Sequence, residues 1–224
     1  MRRNILLVAV AAWLGAAPAA AYDRALTPAA IREAVFLGYS TSDKPAAFLK
    51  QYVQTFPVPP AGMYVSEIEI TTPYKRIVQR ARTAFGYSPL AAEADNRRQP
   101  QLITVTVTVW LTPTVPAHTP YTRAFPGFIA LRDPNFYETI EVHLKQSGHV
   151  EQRARRGQPV YLCSSTAGLG GGLCRIGCVG CALAGAEIEL DFDPDQLASR
   201  PTRILVKTED GREVEAEFDL AKLR

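Results

Sequence analysis

The segment LITVTVTVWL, residues 102–111, restricts the fold more than any other part of the chain, because it alternates strictly between apolar and polar side chains. Successive side chains of a β-strand point to opposite faces, so this period of two predicts a strand with one apolar face. The apolar set comprises Ile103, Val105, Val107, Val109 and Leu111. Thr104, Thr106, Thr108 and Trp110 point the other way.

Several shorter segments of the chain alternate in the same manner and are separated by turn residues rather than helices. They are MYVSEIEITT (63–72), TIEVHLK (139–145), PVYLC (159–163), EIELDF (187–192) and TRILVKTEDGREVEAEFDL (202–220). Asp210 and Gly211 predict a two-residue hairpin turn within the last of these. The pattern predicts an α+β, mainly β fold: an antiparallel β-sandwich, immunoglobulin-like in general shape.

Helical signals concentrate before residue 100. Residues 22–62 form a predicted helical N-terminal segment, and residues 63–224 a β-rich domain with an inserted helix near residues 73–85. Thr27 and Thr72 are the expected N-caps, and each is followed by a proline. The inserted helix has an apolar face of Tyr74, Ile77, Val78, Ala81 and Phe85. Lys75, Arg76, Arg80 and Arg82 lie mostly on the other face, which we interpret as its solvated side.

The first 21 residues have the pattern of a secretory signal peptide. Arg2 and Arg3 precede a short apolar run, and alanines at positions 19–21 suit cleavage after Ala21. The apolar run is too short to span a bilayer, and no other segment after residue 21 predicts a transmembrane helix. Cleavage lowers the formal charge from +3 to +1, which gives no electrostatic case for nucleic acid. We therefore expect a periplasmic or secreted protein.

All four cysteines lie in one glycine-rich loop, predicted over residues 163–186. In an exported protein an even number of cysteines normally pairs, so Cys163, Cys174, Cys178 and Cys181 are predicted to form two disulfides. Of the three possible pairings, Cys163–Cys181 with Cys174–Cys178 is preferred, although the sequence leaves the pairing open. The glycines allow such a loop to close without strain.

Two alternative roles of these cysteines remain open. Four thiolates suit a zinc ion, but only Cys178 and Cys181 form the close pair of structural zinc sites. The spacing of Cys174, Cys178 and Cys181 is the one with which radical S-adenosylmethionine enzymes hold an iron–sulfur cluster, but it lies here late in a β-type chain. Cys178 and Cys181 also form a C-x-x-C pair, without the βαβ context of thiol-redox proteins.

No catalytic constellation is visible in the sequence. His143 and His149 are interpreted as solvated surface residues rather than metal ligands. We therefore expect no cofactor and no metal, and an exported, non-catalytic envelope or secreted module that binds or scaffolds an unknown protein, glycan or lipid-surface partner. The alternatives are a cysteine-centred metal or redox protein, and a hydrolase whose site is assembled from distant residues.

Overall fold

The computed structural model describes residues 26–112, 133–146, 150, 152–163, 172–174 and 181–224. The predicted signal peptide, Cys178, His118 and His149 lie outside the described residues. The described chain is mixed α+β, with most of its regular structure in two antiparallel sheets and with four α-helices. The coarse fold class predicted from the sequence is therefore confirmed.

Helices start at the predicted capping residues Thr27 and Thr72, and another starts in the same way at Ser88. The Oγ atoms of Thr27, Thr72 and Ser88 each accept a hydrogen bond from the backbone N–H three residues later. A proline follows each cap, where a missing N–H does no harm. The helices are α1 (Pro28–Tyr39), α2 (Lys44–Lys50), α3 (Pro73–Thr83) and α4 (Pro89–Arg98).

The strands form one large and one small sheet. They are β1 (Val53–Thr55), β2 (Met63–Thr71), β3 (Ile103–Leu111), β4 (Glu141–Lys145), β5 (Gln152–Cys163), β6 (Gly172–Cys174), β7 (Cys181–Phe192), β8 (Pro201–Lys207) and β9 (Glu213–Asp219). The large sheet has the order β1-β2-β3-β7-β5-β6, and the small one β4-β8-β9. Strand β1 lies within the segment that we predicted to be helical. Strand β6 and the start of β7 lie within the predicted glycine-rich loop.

One hydrophobic core draws side chains from both sheets. The strictly alternating strand β3 is central to it, because its apolar residues pair in register with those of β2 and β7. The large sheet contributes Ile68, Ile70, Val105, Val107, Ile188 and Leu190 among others. The small sheet contributes Val142, Ile204, Val206, Ala216 and Phe218. Burial of these side chains is the main stabilising term of the β-rich part.

The hairpin between β8 and β9 is longer than predicted. The ladder ends at the pair Lys207 and Glu213, so residues 208–212 form the connection rather than Asp210 and Gly211 alone. Gly211 has a φ of +81°, a conformation that only glycine adopts without strain. Thr208 N–H donates to the Arg212 carbonyl at 2.9 Å and closes the turn. The alternating pattern predicts both strands, but it does not predict the length of the connection between them.

The helices form a second apolar cluster, in which α1 and α3 touch most closely at Gly38. A Cβ atom at this position would lie 2.5 Å from Ala81 Cβ and 2.6 Å from the Val78 carbonyl oxygen. The close contact therefore requires glycine. Helix α1 continues through Gly38 and ends at Tyr39.

Two residues of α3 differ from their expected positions. Phe85 was expected on the apolar face of the helix, but α3 ends at Thr83 and the Phe85 side chain is fully exposed. Lys75 was expected on the solvated face, but it is 0% exposed. Helical periodicity alone did not distinguish Lys75 from its neighbour Arg76, because a buried cation requires a partner from another part of the chain.

That partner is Glu69 on β2. Lys75 Nζ forms an ion pair with Glu69 Oε1 and donates to the Ile70 carbonyl at 2.9 Å. It also lies 5.2 Å from the centroid of the Tyr52 ring. Burial lowers the pKa of the Lys75 ammonium, and the hydrogen bond to Glu69 opposes that shift. These contacts join α3 to the edge of the large sheet.

Arg224 extends the same junction. Its backbone carbonyl accepts a hydrogen bond from Tyr52 Oη at 3.0 Å, and its backbone N–H donates to the same hydroxyl at 3.0 Å. Its guanidinium forms a two-point ion pair with Glu33 on α1, at 2.6 and 3.0 Å. Burial raises the pKa of Tyr52 to about 12. Arg224 thus connects helix α1, through Glu33, with Tyr52 immediately before β1.

The Lys75–Glu69 pair predicts an asymmetric response to mutation. Glu69→Gln leaves a buried ammonium without its counter-charge and is expected to lower the free energy of unfolding by about 3 kcal/mol. Lys75→Met leaves a carboxylate that is 23% exposed and is expected to change stability by less than about 1 kcal/mol. Urea unfolding of both variants measures the difference. Equal losses would contradict this interpretation.

The pH dependence of the Glu69→Gln variant has a definite sign. The pKa of Lys75 is lower in the folded state than its ordinary value of 10.5, so the folded protein releases this proton first. Removal of the Glu69 charge lowers this pKa further in the variant, so the loss of stability in Glu69→Gln should shrink as the pH rises toward 10.5. Urea unfolding of the variant and the wild type across this range tests the sign.

Candidate functional site

The face of the large sheet opposite the core, here called the outer face, carries polar and aromatic side chains in register. Four cross-strand rows run over β2, β3, β7 and β5. Along these strands the rows are Thr71, Thr104, Asp191 and Ala154; Glu69, Thr106, Glu189 and Arg156; Glu67, Thr108, Glu187 and Gln158; and Tyr64, Trp110, Gly185 and Val160. The alternation that buries one set of side chains places this second set together.

Arg156 organises the charged end of the outer face. Its guanidinium donates to Asp191 Oδ2 at 2.6 Å and to Glu189 Oε2 at 3.1 and 3.2 Å. Thr104 Oγ1 donates to the other oxygen of Asp191 at 2.8 Å. Burial alone would raise the pKa of Asp191, but these hydrogen bonds outweigh it and hold the pKa below its ordinary value. Asp191 therefore stays a carboxylate and fixes the guanidinium of Arg156 in position.

A groove lies beside this end, between β5 and β7. It has a volume of about 240 Å³ and is lined by Arg156, Gly157, Gln158, Glu187 and Glu189. Gln158 Nε2 donates to Glu187 Oε2 at 3.0 Å, which aligns the amide with the carboxylate. The groove thus presents guanidinium, amide and carboxylate groups whose mutual geometry is set before any ligand arrives.

An aromatic pair lies one row further along the outer face. Trp110 is paired with Tyr64 on one side and with Gly185 on the other, and both rings are partly exposed. A Cβ atom on Gly185 would lie 2.2 Å from the Val109 carbonyl oxygen and 3.2 Å from Trp110 Cε3. The indole therefore lies over the glycine. Glu187 follows Gly185 by two residues on the same face, so the aromatic pair and the groove are about 7 Å apart.

Aromatic rings beside aligned planar polar groups suit a ligand that has both apolar and hydroxyl surfaces. The rings offer a flat apolar platform, and the groove offers donors and acceptors at fixed positions. Burial raises the pKa of the Glu67 carboxyl on the same face, and the nearby charge of Glu69 adds to this effect. Such an arrangement can bind a ligand through contact and hydrogen bonding, and Arg156, Glu189 and Asp191 within it are already paired with one another.

The predicted cysteine loop is only partly within the described residues. Cys163 on β5 is paired in register with Cys181 on β7, and Cys174 on β6 is paired with Tyr161. Across the described ranges, no cluster of three or more His, Cys, Asp or Glu side chains has a geometry that holds a metal ion. His143 is exposed on β4, 3.6 Å from Glu141, which agrees with its interpretation as a surface residue.

The outer face cannot be recognised as a site from the sequence alone. Its residues come from four strands that are distant in the sequence, so neither Gln158 nor Glu187 stands out in its own segment. The one sequence feature that indicates this face is the polar set of side chains on β3, in which Trp110 stands among threonines. A large aromatic residue on the polar face of a strand indicates a surface that contacts something apolar.

Known proteins give no guide to this site. No protein-family model matches the chain, and no curated protein or solved structure is similar to it. Nowhere in the described part of the chain does a helix combine the length and the apolar character that crossing a bilayer requires.

Alanine substitutions at two glycines, Gly185 on β7 and Gly157 on β5, are expected to lower the free energy of unfolding by different amounts. Gly185→Ala places a methyl group against the backbone of Val109, and we expect a loss of at least about 2 kcal/mol because β3 and β7 must separate. Gly157→Ala meets only the side-chain ring of Tyr137, which is partly exposed and can rotate, so about 1 kcal/mol or less is expected. Urea unfolding of the two variants measures the difference, and equal losses would contradict a close backbone contact at Gly185.

Proposed function

We propose that this protein is an exported, non-catalytic binding module that holds a glycan on the outer face of its large sheet. We also infer that the two sheets pack as a β-sandwich, because both contribute to one core. The observation that carries the functional proposal is the position of the Trp110 and Tyr64 rings next to the groove of Arg156, Gln158 and Glu187.

Sugar chemistry fits this combination of groups. A pyranose has a face of C–H groups that stacks on an aromatic ring, and a rim of hydroxyl groups that pair with planar polar side chains. Trp110 supplies a ring fixed over Gly185, and the Gln158–Glu187 pair supplies an adjacent donor and acceptor. A ligand that bridges both features covers about 7 Å, roughly the span of one or two sugar rings.

The charges of the groove restrict the class of glycan. Among the residues that line the groove, the carboxylates of Glu187 and Glu189 outnumber the guanidinium of Arg156, which is already engaged by Glu189 and by the neighbouring Asp191. A uronic acid or sulfated sugar would meet uncompensated negative charge, which is unfavourable at short range. We therefore expect neutral or N-acetylated oligosaccharides to bind and acidic ones to be rejected.

Export and disulfide formation complete the proposal. Residues 1–21 have the pattern of a signal peptide, and an oxidising compartment favours cysteine pairing. Directly opposed residues of an antiparallel pair have Cα and Cβ separations that suit a disulfide. The register of Cys163 with Cys181 therefore supports the preferred pairing and leaves Cys174 for Cys178. Such a bridge fixes the end of β7 that precedes Gly185 and Glu187.

Glycan binding is tested with fluorescently labelled chito-, cello- and malto-oligosaccharides. We expect at least one neutral or N-acetylated series to bind the exported protein and to be recovered uncleaved. Trp110→Ala should weaken that binding by at least about tenfold, because the stacking surface is lost. Fluorescence anisotropy gives the dissociation constants, and mass spectrometry of the ligand reports cleavage.

Matched variants separate loss of the site from loss of the fold. Phe85→Ala removes a fully exposed ring from the α3–α4 connection and should leave glycan binding unchanged. Gln158→Ala, which retains Trp110, should reduce binding by itself if Trp110→Ala proves unstable. Unchanged binding in both outer-face variants, or no binding in any series, would contradict the proposal. Cleaved ligand would favour the hydrolase alternative.

The state of the cysteines is tested by intact mass. Two disulfides make the denatured exported protein about 4 Da lighter than its reduced form. Reduction, or Cys163→Ser with Cys181→Ser, is expected to lower the free energy of unfolding by about 2–4 kcal/mol. Free thiols with a metal or iron–sulfur mass in the native spectrum would instead support the cysteine-centred alternative.

A further inference from the structure

The helices carry a second unusual surface. Four large side chains there are strongly exposed: Phe36 at 66%, Tyr39 at 44%, Phe85 fully, and Leu90 at 73%. We call these four residues the aromatic tip. Exposed apolar side chains that occur singly are ordinary, but a group of them indicates an interaction surface.

The described contacts bring the four residues to one end of the helices. Phe36 and Tyr39 are three residues apart on α1 and therefore lie on the same helix face. Tyr39 Oη donates to the backbone carbonyl of Tyr87 at 2.6 Å. Tyr87 lies between Phe85 and Leu90 in the connection from α3 to α4. The α1 pair and the α3–α4 connection are thus neighbours.

The tip is convex rather than grooved. Phe85 precedes Gly86, which has a φ of +72° and would have no atom within 4 Å of an added Cβ. A protruding turn with an exposed ring can insert between lipid headgroups, but it does not form a pocket for a helix or a peptide. This shape agrees with insertion into the interfacial region of a bilayer, where aromatic side chains are favoured.

The charged residues around the aromatic tip indicate whether the lipid headgroups of such a bilayer are neutral or anionic. Helix α3 contains Lys75, Arg76, Arg80 and Arg82 and no acidic residue. Arg82 is exposed three residues before Phe85, and Arg32 is exposed four residues before Phe36. Of the three acids on α1 and α4, Glu33 is paired with Arg224 and Asp95 with Arg80, and the third is Glu93, three residues after Leu90. Guanidinium groups beside exposed rings attract anionic lipid headgroups.

We propose that the aromatic tip docks the exported protein on the surface of an anionic phospholipid bilayer, with Phe85 and Leu90 inserted and with Arg32 and Arg82 at the headgroups. This surface is separate from the outer face, so glycan binding and lipid docking can occur together. The inference does not rest on the proposed glycan function.

Vesicle co-sedimentation of the exported protein tests the proposal. Vesicles of phosphatidylcholine with added phosphatidylglycerol should bind the protein at least about tenfold more tightly than pure phosphatidylcholine vesicles, and added salt should weaken the binding. Phe85→Asp with Leu90→Asp should reduce binding by at least about tenfold. Because both side chains already face solvent, circular dichroism of this variant should match that of the wild type.

A control variant tests whether the loss of vesicle binding is specific to the aromatic tip. Val58→Asp alters a side chain that is 67% exposed in the segment before β2, and vesicle binding should not change. Arg82→Glu, which retains both apolar side chains, should reduce binding only to the anionic vesicles. Binding that survives the Phe85 and Leu90 changes, equal loss in Val58→Asp, or dimerisation through the tip without vesicle binding would each overturn the proposal. The Phe85→Asp, Leu90→Asp variant should still bind the glycan series, which separates this outcome from failure of the outer-face site.

Discussion

The buried ammonium of Lys75 is the interaction on which the arrangement of helices and sheet depends. An uncompensated charge at that depth is strongly unfavourable, so Glu69, the Ile70 carbonyl and the Tyr52 ring must stay in place around it. A hydrophobic contact tolerates small shifts between elements, whereas this set of contacts has one geometry. The ion pair therefore gives the position of α3 a specificity that apolar burial alone does not supply.

The same residue that binds Lys75 also belongs to the outer face. Glu69 shares a cross-strand row with Thr106, Glu189 and Arg156, so the junction with the helices and the charged end of the groove are parts of one polar ladder. Each of its two carboxylates has a cation: Glu69 pairs with Lys75 and Glu189 with Arg156. Thr106 on β3 lies between the two carboxylates, so no like charges are directly opposed in this row.

The sequence predicted local features well and long-range ones poorly, for physical reasons. Helix caps and strand alternation depend only on residues that are close in the sequence. The structure confirms the caps at Thr27 and Thr72 and the alternation of β3. The burial of Lys75, the strand β1 and the groove at Gln158 depend on pairing between segments that one sequence does not connect. Trp110 was the single visible sign of the outer face, because its polar neighbours are ordinary for any solvated strand.

The strand order has a consequence for how the chain acquires its structure. Strand β3 pairs with β7, although β4, β5 and β6 come between them in the sequence. The centre of the large sheet therefore cannot form until nearly the whole chain is present, and such non-local pairing slows folding. A chain emerging from the ribosome would keep its β-rich part open for longer than a protein built from local hairpins. That delay would favour the export that we propose, because a precursor threaded through a membrane has to stay unfolded until it has crossed.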